Sequence, residues 1–268
     1  MKIVESIVKG KRNDGYCEDI LTITDHFIAV IDGVTPKSDF TCGKKKTGRI
    51  AAELIEKAVK KSAPDADCGD IIKNCNAAFE DFYKQTDFPY NKKEYGLQAV
   101  GAIYSVAKRE IWLIGDCQAM VDGVPYTNIK KSDVILAGLR SMILHLEKDK
   151  AFDGGSFVDE GRKAILPWIV QSTAFANRND TPYGYALING DKIPESLIKR
   201  IRLPEKSSEV VLASDGYPIL FPTLQQSEDE LTRLLHEDPY CFRFYASTKG
   251  IENGNISFDD RTYVRFTA

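Results

Sequence analysis

The sequence predicts an α+β fold in which antiparallel sheet lies between layers of helix, and three patterns carry that prediction. Strand-like runs follow one another across short turns, as in hairpins. Two amphipathic helices then come in succession, each with a single apolar stripe that needs a surface to cover. The regular strand–helix–strand alternation of a doubly wound sheet is missing.

The elements follow in order. Residues 3–9 and 20–24 read as strands on either side of a polar turn, KRNDGYCED. Phe27 to Gly33, FIAVIDG, is a short β-branched apolar run, the pattern of a buried strand, and it pairs with 20–24 across Asp25-His26. A polar loop with Pro36, Gly43 and Lys44-Lys45-Lys46 leads to a helix starting at Thr47, where Ile50, Ala51, Leu54, Ile55 and Ala58 repeat at helical spacing. A second helix near Asp70 carries Ile71, Ile72, Cys75, Phe79 and Phe82 on one face. Residues 97–106 and 110–114 form the next hairpin, and Asp122-Gly123 marks another within 120–131. From about 132 to 205 the chain reads as an insert over the sheet edge, with helical patterns at 133–147 and 158–168 and a polar run holding Asn177, Arg178 and Tyr183. Such loops carry specificity in many proteins. Strands return at 209–213 and 262–267, and Ser227 with Glu230 reads as a capping box for a helix at 228–236. No repeat or low-complexity linker divides the chain, so one domain over 1–268 is expected.

Composition narrows the function. A chain of 268 residues with 43% hydrophobic and 28% charged residues can bury a sizeable core. A net charge of −3 gives no global basic footprint for nucleic acid. The N-terminus lacks a signal-peptide pattern, and no apolar run reaches the roughly 20 residues that span a bilayer. The six cysteines form no CxxC pair and read as reduced thiols, so a cytoplasmic protein without membrane or nucleic-acid partners is expected. Oligomeric state is not legible.

Carboxylates recur at strand ends. Asp32 stands where its strand meets a turn, and Gly33 lets the backbone turn sharply or approach a ligand. WLIGD at 112–116 and VVLASDG at 210–216 repeat the pattern, while SFDDRTYVRF at 257–266 places acids before a strand. Taken singly, each Asp-Gly pair reads as turn chemistry; together, the acids read as a shared metal site.

Glu18-Asp19, AVIDG ending at Asp32-Gly33, IGDCQA at 114–119, LASDG at 212–216 and DDRTYV at 259–264 occur in an order that resembles the metal-dependent protein phosphatases of the protein phosphatase 2C (PPM) family, in a divergent bacterial-type form, along nearly the whole chain. The resemblance implies a four-layer α-β-β-α sandwich with two mainly antiparallel central sheets. It also implies two Mg2+ or Mn2+ ions, with Asp32 bridging both. Asp215 and Asp259 would complete one ion's ligands, Glu18 and the Gly33 carbonyl would serve the other, and Asp19 would act nearby through water. Asp32, Asp215 and Asp259 would then act catalytically through a metal-activated water that hydrolyses phosphoserine or phosphothreonine, the substrate being a phosphorylated protein or a small phosphomonoester. A catalytically weak relative serving as a regulatory or binding module is the alternative.

The chain departs from the family at three places. The histidine that often follows Asp-Gly is Val34, and none of His26, His145 and His236 lies in a motif. The place of the phosphate-gripping arginine holds Asp14, with Arg12 two residues further back as a substitute. The acid associated with a third ion is replaced by Lys93-Glu94, which leaves that ion without its ligand. Asp116 is expected to brace its turn, and Asp260 to point away or pair with Arg261. The lysine triplet reads as a solvated loop, and Trp112 and Trp168 as packing residues.

Overall fold

The computed structural model describes residues 1–12, 15–147 and 157–268. Asp14 of the predicted polar turn and residues 148–156 of the predicted insert lie outside them.

The chain order is β1 (Lys2–Lys9), β2 (Ile20–Ile23), β3 (Phe27–Gly33), β4 (Thr41–Cys42), β5 (Lys45–Lys46), α1 (Thr47–Lys61), α2 (Cys68–Gln85) and α3 (Lys92–Tyr95). There follow β6 (Ala99–Ser105), β7 (Glu110–Ile114), β8 (Gln118–Val121), β9 (Val124–Tyr126), α4 (Lys131–Leu146) and α5 (Glu160–Gln171). The described chain closes with β10 (Lys199–Arg202), β11 (Glu209–Ala213), α6 (Leu224–Glu237) and β12 (Arg261–Thr267).

Two five-stranded sheets result, ordered β1-β12-β11-β8-β9 and β10-β7-β6-β3-β2, with antiparallel neighbours throughout. Between them, Val30 and Tyr104 meet Leu212, Val264 and Phe266, and the Tyr104 and Phe266 rings lie 5.1 Å apart. The opposite face of β3 presents Phe27, Ala29 and Ile31 to Ile55 of α1 and Phe79 of α2. Both faces of β3 are therefore buried, which is why its sequence is continuously apolar rather than alternating. On the far side, Val211 and Tyr263 pack beneath Leu231 of α6. The predicted four-layer α-β-β-α sandwich is the observed architecture.

The hairpins form as read. Ile20 pairs with Ile31, and the two-residue turn Asp122-Gly123 has φ of 48° and 84°, the left-handed geometry of a type I′ connection. Trp112 is core. Four local expectations are corrected. Lys45 and Lys46 form a short strand rather than a loop, and the Lys45 ammonium reaches Glu53 at 2.7 Å. The region 132–205 is not only cover, because β10 forms the edge of the second sheet. Trp168 is 57% exposed rather than packed into the insert. The last helix starts at Leu224, not 228, because Thr223 caps it by accepting from the Gln226 amide; Ser227 instead binds back to the Thr223 carbonyl, and Glu230 pairs with Arg233. Among the described residues, no helix is long and apolar enough to cross a membrane.

The cover consists of α4 and α5, joined through Leu136, Ile165 and Ile169. Arg140 of α4 is fully buried and fastens this pair to the chain before β12. Its guanidinium holds the Asp159 carboxylate at 2.7 Å and donates to the carbonyls of Tyr240, Cys241 and Ser247 at 2.7, 2.9 and 2.8 Å.

Candidate metal centre

The antiparallel sheets bring the ends of β3 and β11 and the start of β12 to one edge of the sandwich. Asp32 ends β3 and Asp215 follows β11, while Asp259 precedes β12. Their backbones are held close. A Cβ on Gly33 would stand 2.3 Å from the Gly48 carbonyl oxygen and 2.9 Å from that of Glu18, so α1 and the Glu18 segment abut the end of β3 only because both positions are glycine. Arg49 of α1 donates to the carbonyls of Cys17 and Asp19, both at 3.1 Å, which fixes the backbone that carries Glu18 and Asp19.

Each acid then has its own environment. Asp19 is fully buried; one oxygen accepts from the Ser214 and Thr262 hydroxyls at 2.7 and 2.9 Å, and the other has no partner. Burial and the nearby Asp260 and Asp259 push its carboxyl up to about 8, against the hydrogen bonds from Ser214 and Thr262. Burial, with Asp19, Asp259 and Asp116 nearby, holds the Asp32 carboxyl well above the usual range. Burial and Asp32 do the same to Asp215, whose Oδ1 is also buried without a partner. Glu18, 3% exposed, is raised by burial and Asp260 despite Lys11, and its Oε1 is unpartnered. Asp259 goes the other way: burial would raise it, but Lys249 and Lys11 hold it at about 2.

The lysines were not anticipated. The Lys11 ammonium lies 3.3 Å from Glu18, 3.2 Å from Asp259, 3.5 Å from Asp260 and 3.0 Å from the Thr35 hydroxyl. Lys249 reaches Asp259 at 2.5 Å and Thr35 at 3.3 Å. Asp260 accepts from the Lys11 and Glu18 amides at 2.7 and 2.9 Å, so it braces the segment carrying Glu18 and does not pair with Arg261, which binds Glu228.

A cavity of about 140 Å³ opens over these groups. Asp32, Asp116, Asp133, Asp215 and Asp259 line it, and so do Lys37, Lys130, Arg162 and Lys249. None of the three histidines lines it, and neither does Arg12, whose backbone bridges to Asn255. Asp116 also faces a neighbouring cavity, and burial beside Asp133 raises its carboxyl. A larger cavity of about 910 Å³ between α2 and residues 189–200 contains none of the predicted site acids.

The donor set fits a divalent metal. Glu18, Asp19 and Asp215 each keep a buried oxygen without a donor, and such an acceptor costs about 1–3 kcal/mol or more unless a cation or proton meets it. Carboxylate and carbonyl oxygens suit hard cations such as Mg2+ and Mn2+. Among the described residues, no three acid, cysteine or histidine side chains are drawn into a closed cage, and ammonium groups stand between them.

The serine/threonine phosphatase PstP of Mycobacterium tuberculosis has a similar structure, with a TM-score of 0.51 and 14% identity over 99% of this chain and 98% of that one. The catalytic domain of PstP with two manganese ions matches at a TM-score of 0.49 and 15% identity, over 100% of both chains. Staphylococcus aureus Stp1, also a serine/threonine phosphatase, matches at 0.48 and 13%, over 99% and 94%. No family model matches the sequence, and no curated protein does. The fold is that of the metal-dependent serine/threonine protein phosphatases. The resemblance read from the acidic motifs is therefore met at the level of architecture.

Proposed function

We propose that this protein is a divalent-metal-dependent phosphomonoester hydrolase of the PPM class, acting on phosphoserine or phosphothreonine in proteins. The observation that carries the reading is the cavity itself: Asp32, Asp215 and Asp259 line it, Asp215 with a buried unpartnered oxygen, and lysine and arginine line it beside them. That combination suits a cation and a phosphate together. Asp32, Asp215, Asp259, Glu18 and the Gly33 carbonyl would hold two Mg2+ or Mn2+ ions, with Asp19 nearby through water. When bound, such ions lower the pKa of a water and screen the phosphoryl charge.

The chain's own residues supply the rest. Asp32 and Asp215 fix the floor against which the phosphoryl group lies. Arg12, on the segment that carries Glu18, does not line the cavity and is given no more than an outer contact to the phosphate. Val34 offers no proton to the leaving group, so that proton comes from water or from another group lining the cavity. The cavity of about 140 Å³ holds the phosphoryl group, and a neighbouring cavity of about 320 Å³ that shares Asp116, Lys130, Asp133 and Asp215 with it gives room for the alcohol side of the ester. The six free thiols suit action in the reducing cytoplasm.

The test is hydrolysis of an aryl phosphate and a phosphothreonine peptide, with and without Mn2+, by wild type, Asp32→Asn and Asp215→Asn. Manganese-dependent turnover of the peptide, lost in both variants while each stays folded, is expected. Near-normal turnover in Asp32→Asn would overturn the ligand assignment. An absence of both turnover and Mn2+ binding in wild type would overturn the function.

A further inference from the structure

We propose that Lys37 and Arg162 form the seat for the phosphoryl oxygens, an assignment that rests on the phosphatase reading but replaces the N-terminal arginine with cations this chain supplies from elsewhere. Both line the cavity above Asp32, Asp215 and Asp259. They come from separate elements: Lys37 from the loop after β3, Arg162 from the first turn of α5 in the cover.

The partners of the cavity's cations separate those that neutralise the protein from those left for a ligand. Lys249 is taken by Asp259 and Lys130 by Asp133, at 2.5 and 2.9 Å. Arg162 spends one nitrogen on the Thr248 carbonyl at 3.0 Å and forms no ion pair among the described residues, with Glu252 the main acid acting on it. Lys37 has neither a hydrogen bond nor an ion pair among the described residues. Burial, with Lys130, Lys249 and Arg162 facing it and Asp133 the opposing acid, pushes the Lys37 amine down to about 7. Cations crowded against each other in a cavity are relieved by an anion, and a guanidinium fork beside an ammonium suits the oxygens of a phosphate monoester. The acids on the floor repel that anion, so the seat works with the floor loaded by metal.

The experiment measures binding of inorganic phosphate to the Mn2+-loaded protein by calorimetry. Lys37→Met is expected to weaken phosphate about tenfold or more, the scale of one charge-assisted hydrogen bond, while Mn2+ affinity stays unchanged. Lys37→Arg should restore binding, Arg162→Gln should show a similar loss from a different helix, and Arg12→Ala should show a smaller one. In turnover, Lys37→Met should raise KM more than it lowers kcat. Phosphate bound as tightly by Lys37→Met and Arg162→Gln as by wild type would overturn the seat, as would no phosphate binding by wild type. Phosphate binding is read whether or not an ester turns over. A wild type that binds phosphate through Lys37 but hydrolyses nothing would refute the phosphatase reading alone.

Discussion

Arg140→Met should cost about 3–5 kcal/mol of stability, because the guanidinium it removes ties the cover helix α4 to the carbonyls of Tyr240, Cys241 and Ser247, leaving the Ser141 hydroxyl on the Phe242 carbonyl as a weaker tie. Methionine keeps most of the apolar stem and loses every donor. The Tyr240 and Ser247 carbonyls then lose a donor in a partly buried site, at about 1–3 kcal/mol each before relaxation, and the Cys241 carbonyl keeps the Ser247 amide at 3.0 Å. Asp159 suffers less: it is 21% exposed and keeps the Arg162 amide at 2.6 Å, so solvent and the helix N-terminus still stabilise it. The sum falls in the range for breaking a buried ion pair, about 3–5 kcal/mol. In a chain of this size that is a fall in Tm of roughly 10 °C. Denaturant unfolding gives the free energy, and amide exchange over residues 240–249 gives its location. Arg140→Lys should recover only part of the loss, since a point charge cannot serve both carboxylate and carbonyls. A loss under about 1 kcal/mol, with exchange over 240–249 unchanged, would refute the account of Arg140 as the fastening of the cover.

Two further outcomes are expected. Lys11→Met should tighten Mn2+ about tenfold, because an ammonium no longer competes for Glu18 and Asp259, and should lower the Tm of the metal-free protein; weaker Mn2+ binding would show that Lys11 assembles the ligands rather than competing with an ion. Gly48→Ala should destabilise by about 1–3 kcal/mol despite alanine's better helix propensity, since its Cβ would stand 2.6 Å from the Val34 carbonyl oxygen and force α1 off β3. Unfolding that shows a more stable protein would refute the close approach.

The parts of the fold legible in the sequence were those with a local signature. FIAVI announced a strand buried on both faces, and the stripes of α1 and α2 announced helices lying on a sheet. What lacked one was missed. The KRIR of β10 reads as a charged loop, and only its pairing with β7 makes it a strand. Nothing near Lys2 indicates that β1 pairs with β12 at the other end of the chain. Ser227 and Glu230 had the right spacing for a cap but lay a turn inside a helix that Thr223 had already begun. At the site, the acids were visible because strand ends are marked by glycine turns. The cations were not: Lys11 lies 248 residues from Asp259, and Arg162 sits among ordinary helical charges. The triplet Lys44-Lys45-Lys46, far more conspicuous, lies outside the cavity.

Lys11 has a consequence for when, rather than how, the centre is assembled. Carboxylates gathered without counter-charge would oppose collapse of the two sheets onto each other, and a chain that relied on a divalent ion for this could fold only where the ion was already present. An ammonium tethered seven residues before Glu18 arrives with the chain. Lys11 thus supplies part of the counter-charge from within the fold, so closing the sheets over the acids does not rest wholly on a cation from solution.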